Sequence, residues 1–190
     1  LLPLEPQYLQ HPDHSFGTNQ TATNLRLVFG QDTVDHLTKI SRDTGLWYLM
    51  VPEEHGGSGL SMLAQIAIME QFNYTAIPFP FAHVANILYK CEGDQVDRFL
   101  KPVIEGKKIT SFAQTEANAG SDPGGMMQTN AIQDGDEWIL NGTKMWISGA
   151  AQSDIIMVQA VTDKERRQRG GITMFLVDRN NPGVTVEEPG

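Results

Sequence analysis

The sequence has little cysteine, a shortage of basic residues and no long apolar run. Cys91 is the single cysteine, so the chain can form neither an internal disulfide nor a zinc site built on cysteines. Lys and Arg number 14 against 23 Asp and Glu, a formal net charge of −9, which lacks the basic footprint of a nucleic-acid-binding protein. No apolar run reaches the length of a membrane span, and the first residues show no targeting pattern. We expect a soluble protein that binds no nucleic acid.

The usual catalytic motifs are also missing. No pair among the five histidines has the spacing of a zinc site, so we predict no metal. The sequence has no phosphate-binding P-loop, no GxSxG nucleophile turn and no GxGxxG motif after a strand. Hydrolysis through these motifs and nucleotide binding by a Rossmann fold are therefore excluded.

The first half of the chain has the apolar spacing of helices. We interpret residues 1–30 as an irregular arm, because they are rich in proline and poorly patterned. Helices are predicted at 32–44, 60–74, 82–90 and 94–106, with a break or kink at Pro102 in the last of them. The segment 60–74 is apolar around most of its circumference, which predicts that it is largely buried.

From Lys107 onward the apolar period is near two, and turn signals such as Asn141-Gly142 punctuate it. Strands are predicted at 109–115, 129–133, 137–140, 144–148, 155–160, 172–177 and 184–186. The pattern indicates an α+β chain, with an N-terminal α-helical domain over residues 1–106 and an antiparallel β domain over 107–190.

The stretch Phe112–Gly125 combines a strand with a loop of small residues. Small residues let the backbone approach a ligand, and successive N–H groups can bind an anion. Thr115 offers a hydroxyl at the end of the strand. The alternative is a wide hairpin loop in which Asp122 forms the turn.

The stretch Asn141–Ala150 is the second candidate. If residues 144–148 form a strand, Trp146 and Ser148 lie on one face of it, and an aromatic surface beside a hydroxyl suits a planar heteroaromatic ring. Ordinary packing is the alternative explanation for this pair.

Together with the Val-Pro-Glu-Glu-x-Gly-Gly loop at 51–57, these two stretches resemble the acyl-CoA dehydrogenase family of flavoproteins. The resemblance runs in order over about Gly45–Gly190 and includes a Phe-Leu-Val-Asp strand at 175–178. It implies a middle domain that is an antiparallel β-barrel or sandwich, and FAD held between this domain and the helical domains.

The resemblance also implies the residues that bind FAD. The Thr115 hydroxyl would reach the pyrimidine edge of the flavin, Trp146 would lie against the ring, and Ser148 would hydrogen-bond near N5. Ser121 would meet the pyrophosphate and also touch acyl-CoA. The full expected set is Phe112, Gln114, Thr115, Gly120, Ser121, Trp146, Ile147 and Ser148.

The implied reaction is the α,β-dehydrogenation of an acyl-CoA thioester in fatty acid and lipid metabolism, with hydride transfer to flavin N5. The catalytic base would lie beyond Gly190 in a C-terminal helical domain, so we expect this chain to be a fragment that is inactive alone. The resemblance implies an electron-transferring flavoprotein as acceptor and a homo-dimer or homo-tetramer. It also implies an intracellular location, in a bacterial cytoplasm, a mitochondrion or a peroxisome.

Two positions depart from the family pattern. Ala117-Asn118 stands where the family commonly has Pro-Gly, and Gln114 stands where an apolar residue is usual. We expect Glu53, Glu54 and Glu116 to have surface or loop-orienting roles. A flavin oxidase or monooxygenase of the same superfamily, or a non-catalytic scaffold subunit, are the alternative functions.

Overall fold

The computed structural model describes residues 1–10 and 28–187. The chain divides into two compact units, Leu1–Lys107 and Lys108–Gly190. Helices form the first unit, and a β-sheet forms most of the second. The predicted α+β class, with helices before strands, is confirmed.

Four α-helices of the first unit lie entirely within the described residues. They are α1 (Glu5–Gln10), α2 (Gln31–Asp43), α3 (Met62–Phe72) and α4 (Lys101–Ile104), with 3-10 turns at Leu2–Leu4, Leu46–Tyr48, Glu53–His55 and Asn86–Lys90 and a π-helical turn at Val96–Leu100. The helix predicted at 82–90 is therefore only the 3-10 turn. Pro102 lies within a continuous helical stretch over residues 94–104, just after the π-helical turn gives way to α4. The helix thus changes type just before Pro102 and does not end there.

The arm predicted to be irregular contains a helix. In α1, Tyr8 is fully buried and belongs to a cluster with Val28, Val34 and Ile77. The interpretation of residues 1–30 as irregular is thus wrong for α1, because one buried aromatic residue anchors a helix too short to show an apolar period. Residues 11–27 of the arm lie outside the described residues.

Helix α3 differs from its prediction in burial. Ser61 caps it by accepting a hydrogen bond from the Ala64 N–H group, but none of its residues is buried. Met62, Leu63 and Ile66 are between 58% and 78% exposed. The prediction of a largely buried helix is wrong for this structure, since the first unit covers only part of an apolar surface that runs around the helix.

The second unit is built on a five-stranded sheet. Its elements are β1 (Thr110–Ala113), α5 (Pro123–Met126), β2 (Asn130–Asp134), β3 (Glu137–Asn141), β4 (Ile155–Val161), a 3-10 turn at Arg167–Arg169 and β5 (Ile172–Asp178). The order is β1-β4-β2-β3, and β5 also pairs with β4. Strand β4 is central, and most of its residues are buried.

The sheet is mixed and open, which corrects the expectation of an antiparallel barrel or sandwich. β1 runs parallel to β4, and β2 meets β4 in parallel at the single pair Asn130–Val161. The pairs β2–β3 and β4–β5 are antiparallel. Alternation of apolar residues identifies a strand but not its partner. The sequence therefore does not indicate that β4, which follows the β2–β3 hairpin, pairs with β1.

Two predicted strands are absent. Residues 144–148 and 184–186 have no strand pairing. The first of these segments carries Trp146 and Ser148, so its backbone bears directly on the candidate site. No helix within residues 1–10 and 28–187 is long and apolar enough to cross a membrane.

Candidate functional site

The structure brings the two candidate stretches together at the end of β1. The Met145 N–H group donates to the carbonyl oxygen of Thr115 at 2.9 Å. The Lys144 Nζ donates to the carbonyl oxygen of Gln114 at 3.0 Å. Segments about 30 residues apart in the chain therefore lie side by side, although residues 144–148 are not a strand.

A buried ion pair joins the same segments. Glu116 Oε1 lies 2.9 Å from Lys144 Nζ, and the two side chains are 7% and 9% exposed. The carboxylate also accepts hydrogen bonds from the Gln128 N–H group at 2.6 Å and from the Thr129 N–H group at 3.0 Å. Glu116 thus links a third segment, at the start of β2, to the site.

These contacts set the charge states of the pair. Burial raises the pKa of the Glu116 carboxyl, but hydrogen bonds from Thr129, from the Gln128 N–H group and from Lys144 outweigh this effect and lower the pKa to about 2. Burial lowers the pKa of the Lys144 ammonium, which the charge and hydrogen bond of Glu116 partly oppose. With its pKa lowered and its oxygens accepting three hydrogen bonds, the Glu116 carboxylate is a negative charge in a structural role, not a group placed for proton transfer.

The turn after Thr115 forms despite the two departures from the family pattern. Glu116 and Ala119 exchange backbone hydrogen bonds of 3.4 and 3.1 Å around Ala117 and Asn118. Asn118 is not among the residues with positive φ, so this turn needs neither a glycine nor a left-handed residue. The Pro-Gly pair of the family pattern is dispensable here.

The predicted anion-binding residues lie in the loop that follows. Gly120 and Ser121 are exposed, and a Cβ built on Gly120 would meet no atom within 4 Å. The Asp122 side chain accepts a hydrogen bond from the Gly125 N–H group at 2.9 Å and caps α5. Open space beside an exposed glycine leaves room for a ligand to approach the backbone.

Phe112 and Gln114 lie on one face of the strand and its extension. Phe112 is 44% exposed, while the Gln114 side-chain amide donates to the Gln159 side-chain oxygen at 2.8 Å. Gln114 is therefore satisfied by a neighbouring strand, which explains how a polar residue occupies a position that is usually apolar. The exposed ring of Phe112 remains available for contact with a ligand.

Trp146 has an unusual backbone and an exposed side chain. Its φ is +59°, a conformation that a bulky residue rarely adopts, and the indole is 80% exposed. Ser148 is also exposed, and Ile147 between them is partly buried. Contrary to the prediction, strand alternation does not place Trp146 and Ser148 on one face, because residues 144–148 form no strand.

The hydroxyl groups expected to bind FAD have no competing partner among the described residues. Within residues 1–10 and 28–187, the side chains of Thr115, Ser121 and Ser148 form no hydrogen bond. By contrast, the hydroxyls of Ser111 and Ser153 hydrogen-bond to each other in the interior. Free hydroxyls, an exposed indole and an open loop are a set of donors and surfaces that fits a flavin nucleotide.

One residue of the site, Lys144, is not in the expected set. For Glu116 the expectation of a surface position is wrong, because the side chain is buried, whereas a loop-orienting role agrees with its hydrogen bonds to the N–H groups of Gln128 and Thr129. Both residues stand within the two motifs that carry the family resemblance. The signal that indicates an ion pair is the presence of an acidic residue, Glu116, in one motif and a basic residue, Lys144, in the other.

Comparisons with known proteins agree on the family. The N-terminal domain of acyl-CoA dehydrogenases matches residues 16–107, and the middle domain of acyl-CoA dehydrogenases matches residues 111–190. The two matches cover most of the chain in the order expected from its motifs.

Individual relatives carry related descriptions. A 3-(aryl)acrylate reductase of Clostridium sporogenes is 36% identical over 161 residues, which are 80% of this chain and 42% of that protein. The mouse mitochondrial short-chain specific acyl-CoA dehydrogenase is 37% identical over 151 residues, 76% of this chain and 36% of that protein. A glutaryl-CoA dehydrogenase of Mycobacterium smegmatis, solved in complex with FADH2, superimposes with a TM-score of 0.63 at 25% identity, over 98% of this chain and 52% of that one.

The chain spans less than half the length of the curated relatives that it matches. Within that span the family models, the sequence relatives and the solved structures all identify the same family. The chain belongs to the acyl-CoA dehydrogenase family.

Proposed function

We propose that this chain supplies the N-terminal and middle domains of an FAD-dependent acyl-CoA dehydrogenase. The observation that carries the proposal is the junction of the two motifs, in which Lys144 and Met145 hydrogen-bond to the segment around Thr115. The hydroxyl groups of Thr115, Ser121 and Ser148, the exposed indole of Trp146 and the open loop at Gly120 belong to the same unit as this junction.

Each residue at this junction has a role in the proposal. Thr115 donates a hydrogen bond to the pyrimidine edge of the flavin, where negative charge gathers on reduction, and Ser148 donates near N5. Trp146 lies against the ring, with Phe112, Gln114 and Ile147 contributing further contacts. Gly120 and Ser121 bind the pyrophosphate, and Ser121 also contacts the acyl-CoA.

The reaction we propose is α,β-dehydrogenation of an acyl-CoA thioester. Bound FAD supplies the acceptor for the hydride that leaves the β-carbon. A carboxylate base takes the α-proton, and we place it outside these residues, because Glu116 is ion-paired with a pKa of about 2. Glu53 and Glu54, which are exposed on a loop between α2 and α3 in the first unit, are not assigned as the base either.

The same site would support the reverse reaction. Two of the relatives are described as a 3-(aryl)acrylate reductase and as a subunit of a caffeyl-CoA reductase–Etf complex. Reduction of a conjugated double bond reverses the hydride and proton transfers of dehydrogenation. Acyl-CoA as substrate, an electron-transferring flavoprotein as redox partner, and a homo-dimer or homo-tetramer are parts of this proposal.

The test uses the full-length protein. We expect a yellow preparation with flavin absorbance, formation of enoyl-CoA from an acyl-CoA in the presence of an electron acceptor, and little oxygen consumption. Peroxide formation without enoyl-CoA would instead show an oxidase or monooxygenase. A colourless protein that added FAD does not reconstitute would refute the proposal and favour a scaffold subunit.

A further inference from the structure

We propose that the Glu116–Lys144 ion pair is a positioning device for the flavin, which fixes Thr115 and Trp146 relative to each other. This inference rests on the proposed function, because it assigns the ion pair to the same cofactor site. Neither residue needs to touch the cofactor. They act through the backbone segments that carry the contacting groups.

The contacts around Thr115 show how the device works. The Lys144 Nζ bridges the carbonyl oxygen of Gln114 and the carboxylate of Glu116, the two neighbours of Thr115 in the chain. The carbonyl oxygen of Thr115 itself accepts from the Met145 N–H group. Three consecutive residues of one segment are thus held by two consecutive residues of the other, and neither segment can slide without breaking several bonds.

The energetics of a buried pair favour a positioning role over simple stabilisation. Taking two charges out of water costs much of what their attraction returns, so replacing such a pair by neutral residues is often tolerated. Removing one partner leaves the other charge buried and unpaired, which destabilises the protein strongly. The pair is therefore a weak source of net stability, but it specifies one arrangement of the segments that it joins.

The backbone at Trp146 gives a second, independent reason. A bulky residue at φ +59° is strained, and strain of this kind persists only where the surrounding structure imposes it. The indole is 80% exposed, so packing within the chain does not impose it. The two residues just before Trp146 are tethered, Lys144 by its ion pair and Met145 by its hydrogen bond to Thr115, and we assign the strain to these contacts.

The experiment measures FAD affinity in the full-length protein by fluorescence titration of the apoprotein. Lys144→Met removes the positive charge, and Lys144→Arg keeps it. The double variant Glu116→Gln with Lys144→Met has a neutral pair and leaves no buried charge. The matched control is Lys101→Met, which removes an exposed ion pair with Asp97 in the first unit.

We expect Lys144→Met to weaken FAD binding about tenfold or more, with an altered visible spectrum of the bound flavin. The neutral double variant should recover thermal stability but bind FAD as weakly as the single variant, which a purely structural role does not predict. Lys144→Arg should restore most of the affinity, and Lys101→Met should match the wild type. Wild-type affinity and spectrum in Lys144→Met would overturn the proposal.

A second measurement separates this inference from the proposed function. Hydrogen exchange at the Met145 N–H group of the apoprotein reports the bond to Thr115 without any cofactor. Lys144→Met should speed this exchange about tenfold or more, and Lys101→Met should leave it unchanged. If the wild type bound no FAD, the proposed function would fail, and the exchange rates would decide whether the ion pair positions the two segments. Unchanged exchange in Lys144→Met would refute the positioning.

Discussion

Acid is expected to destabilise the second unit through Glu116. In the folded protein the pKa of this carboxyl is lowered from 4.5 to about 2, a difference worth about 3 kcal/mol. The group is 7% exposed, so solvent screens little of this effect. Because the folded pKa lies below the unfolded one, the stabilisation is complete above pH 4.5 and is lost as the pH falls towards 2.

The assay compares the wild type with Glu116→Gln at several pH values between 6 and 2. Urea dependence of hydrogen exchange at the β4 amides, corrected for intrinsic rates, gives the free energy of unfolding of the second unit. We expect the wild type to be more stable than the variant by about 3 kcal/mol at pH 6, and the two to converge near pH 2. A difference that stays constant over the whole range would refute the assignment of the low pKa to Glu116.

Three further predictions concern single residues. Trp146→Gly should be more stable than Trp146→Ala by about 1 kcal/mol in urea unfolding, because Ala keeps the strain of a positive φ that Gly escapes. If the Ala variant were the more stable one, as at most positions, the backbone at residue 146 would not be strained. Gly57→Ala should lower the free energy of unfolding by about 3 kcal/mol in the same assay, since a Cβ would lie 1.7 Å from the Val51 carbonyl oxygen. Gly120→Ala is the control: its Cβ meets no atom within 4 Å, so this variant should unfold like the wild type. Ser148→Ala should lower the reduction potential of bound flavin in a dye-equilibration titration, and an unchanged potential would rule out a hydrogen bond near N5.

Much of the fold follows from local patterns in the sequence. The helix at Gln31–Asp43 repeats Val34 and Leu37 on its buried side, and Gly45 follows it with φ +77°, as a helix stop requires. The hairpin of β2 and β3 turns at Gly135-Asp136, where Gly135 takes the positive φ of +61° that a two-residue turn favours. Each of these signals lies within a few residues of the structure that it predicts.

Other features depend on contacts that local patterns do not encode. Alternation after Asn141-Gly142 is typical of a strand, but the Lys144 ion pair and the Met145 hydrogen bond hold this segment without a ladder. The parallel pairing of β1 with β4 likewise depends on residues about 45 positions apart. The site residues came from family resemblance, and their contacts with FAD stay predictions.

The central place of β4 has a consequence for synthesis of the protein on the ribosome. Ile109 precedes its hydrogen-bond partner Asp154 by 45 residues, and the whole of β1 must wait for β4 to be made. At translation rates of about 5–20 residues per second, that wait lasts roughly 2–9 s. During it, β1 emerges with both backbone edges unpaired and an aromatic side chain, Phe112, beside them. A chaperone that recognises extended apolar segments has those seconds in which to bind the nascent chain.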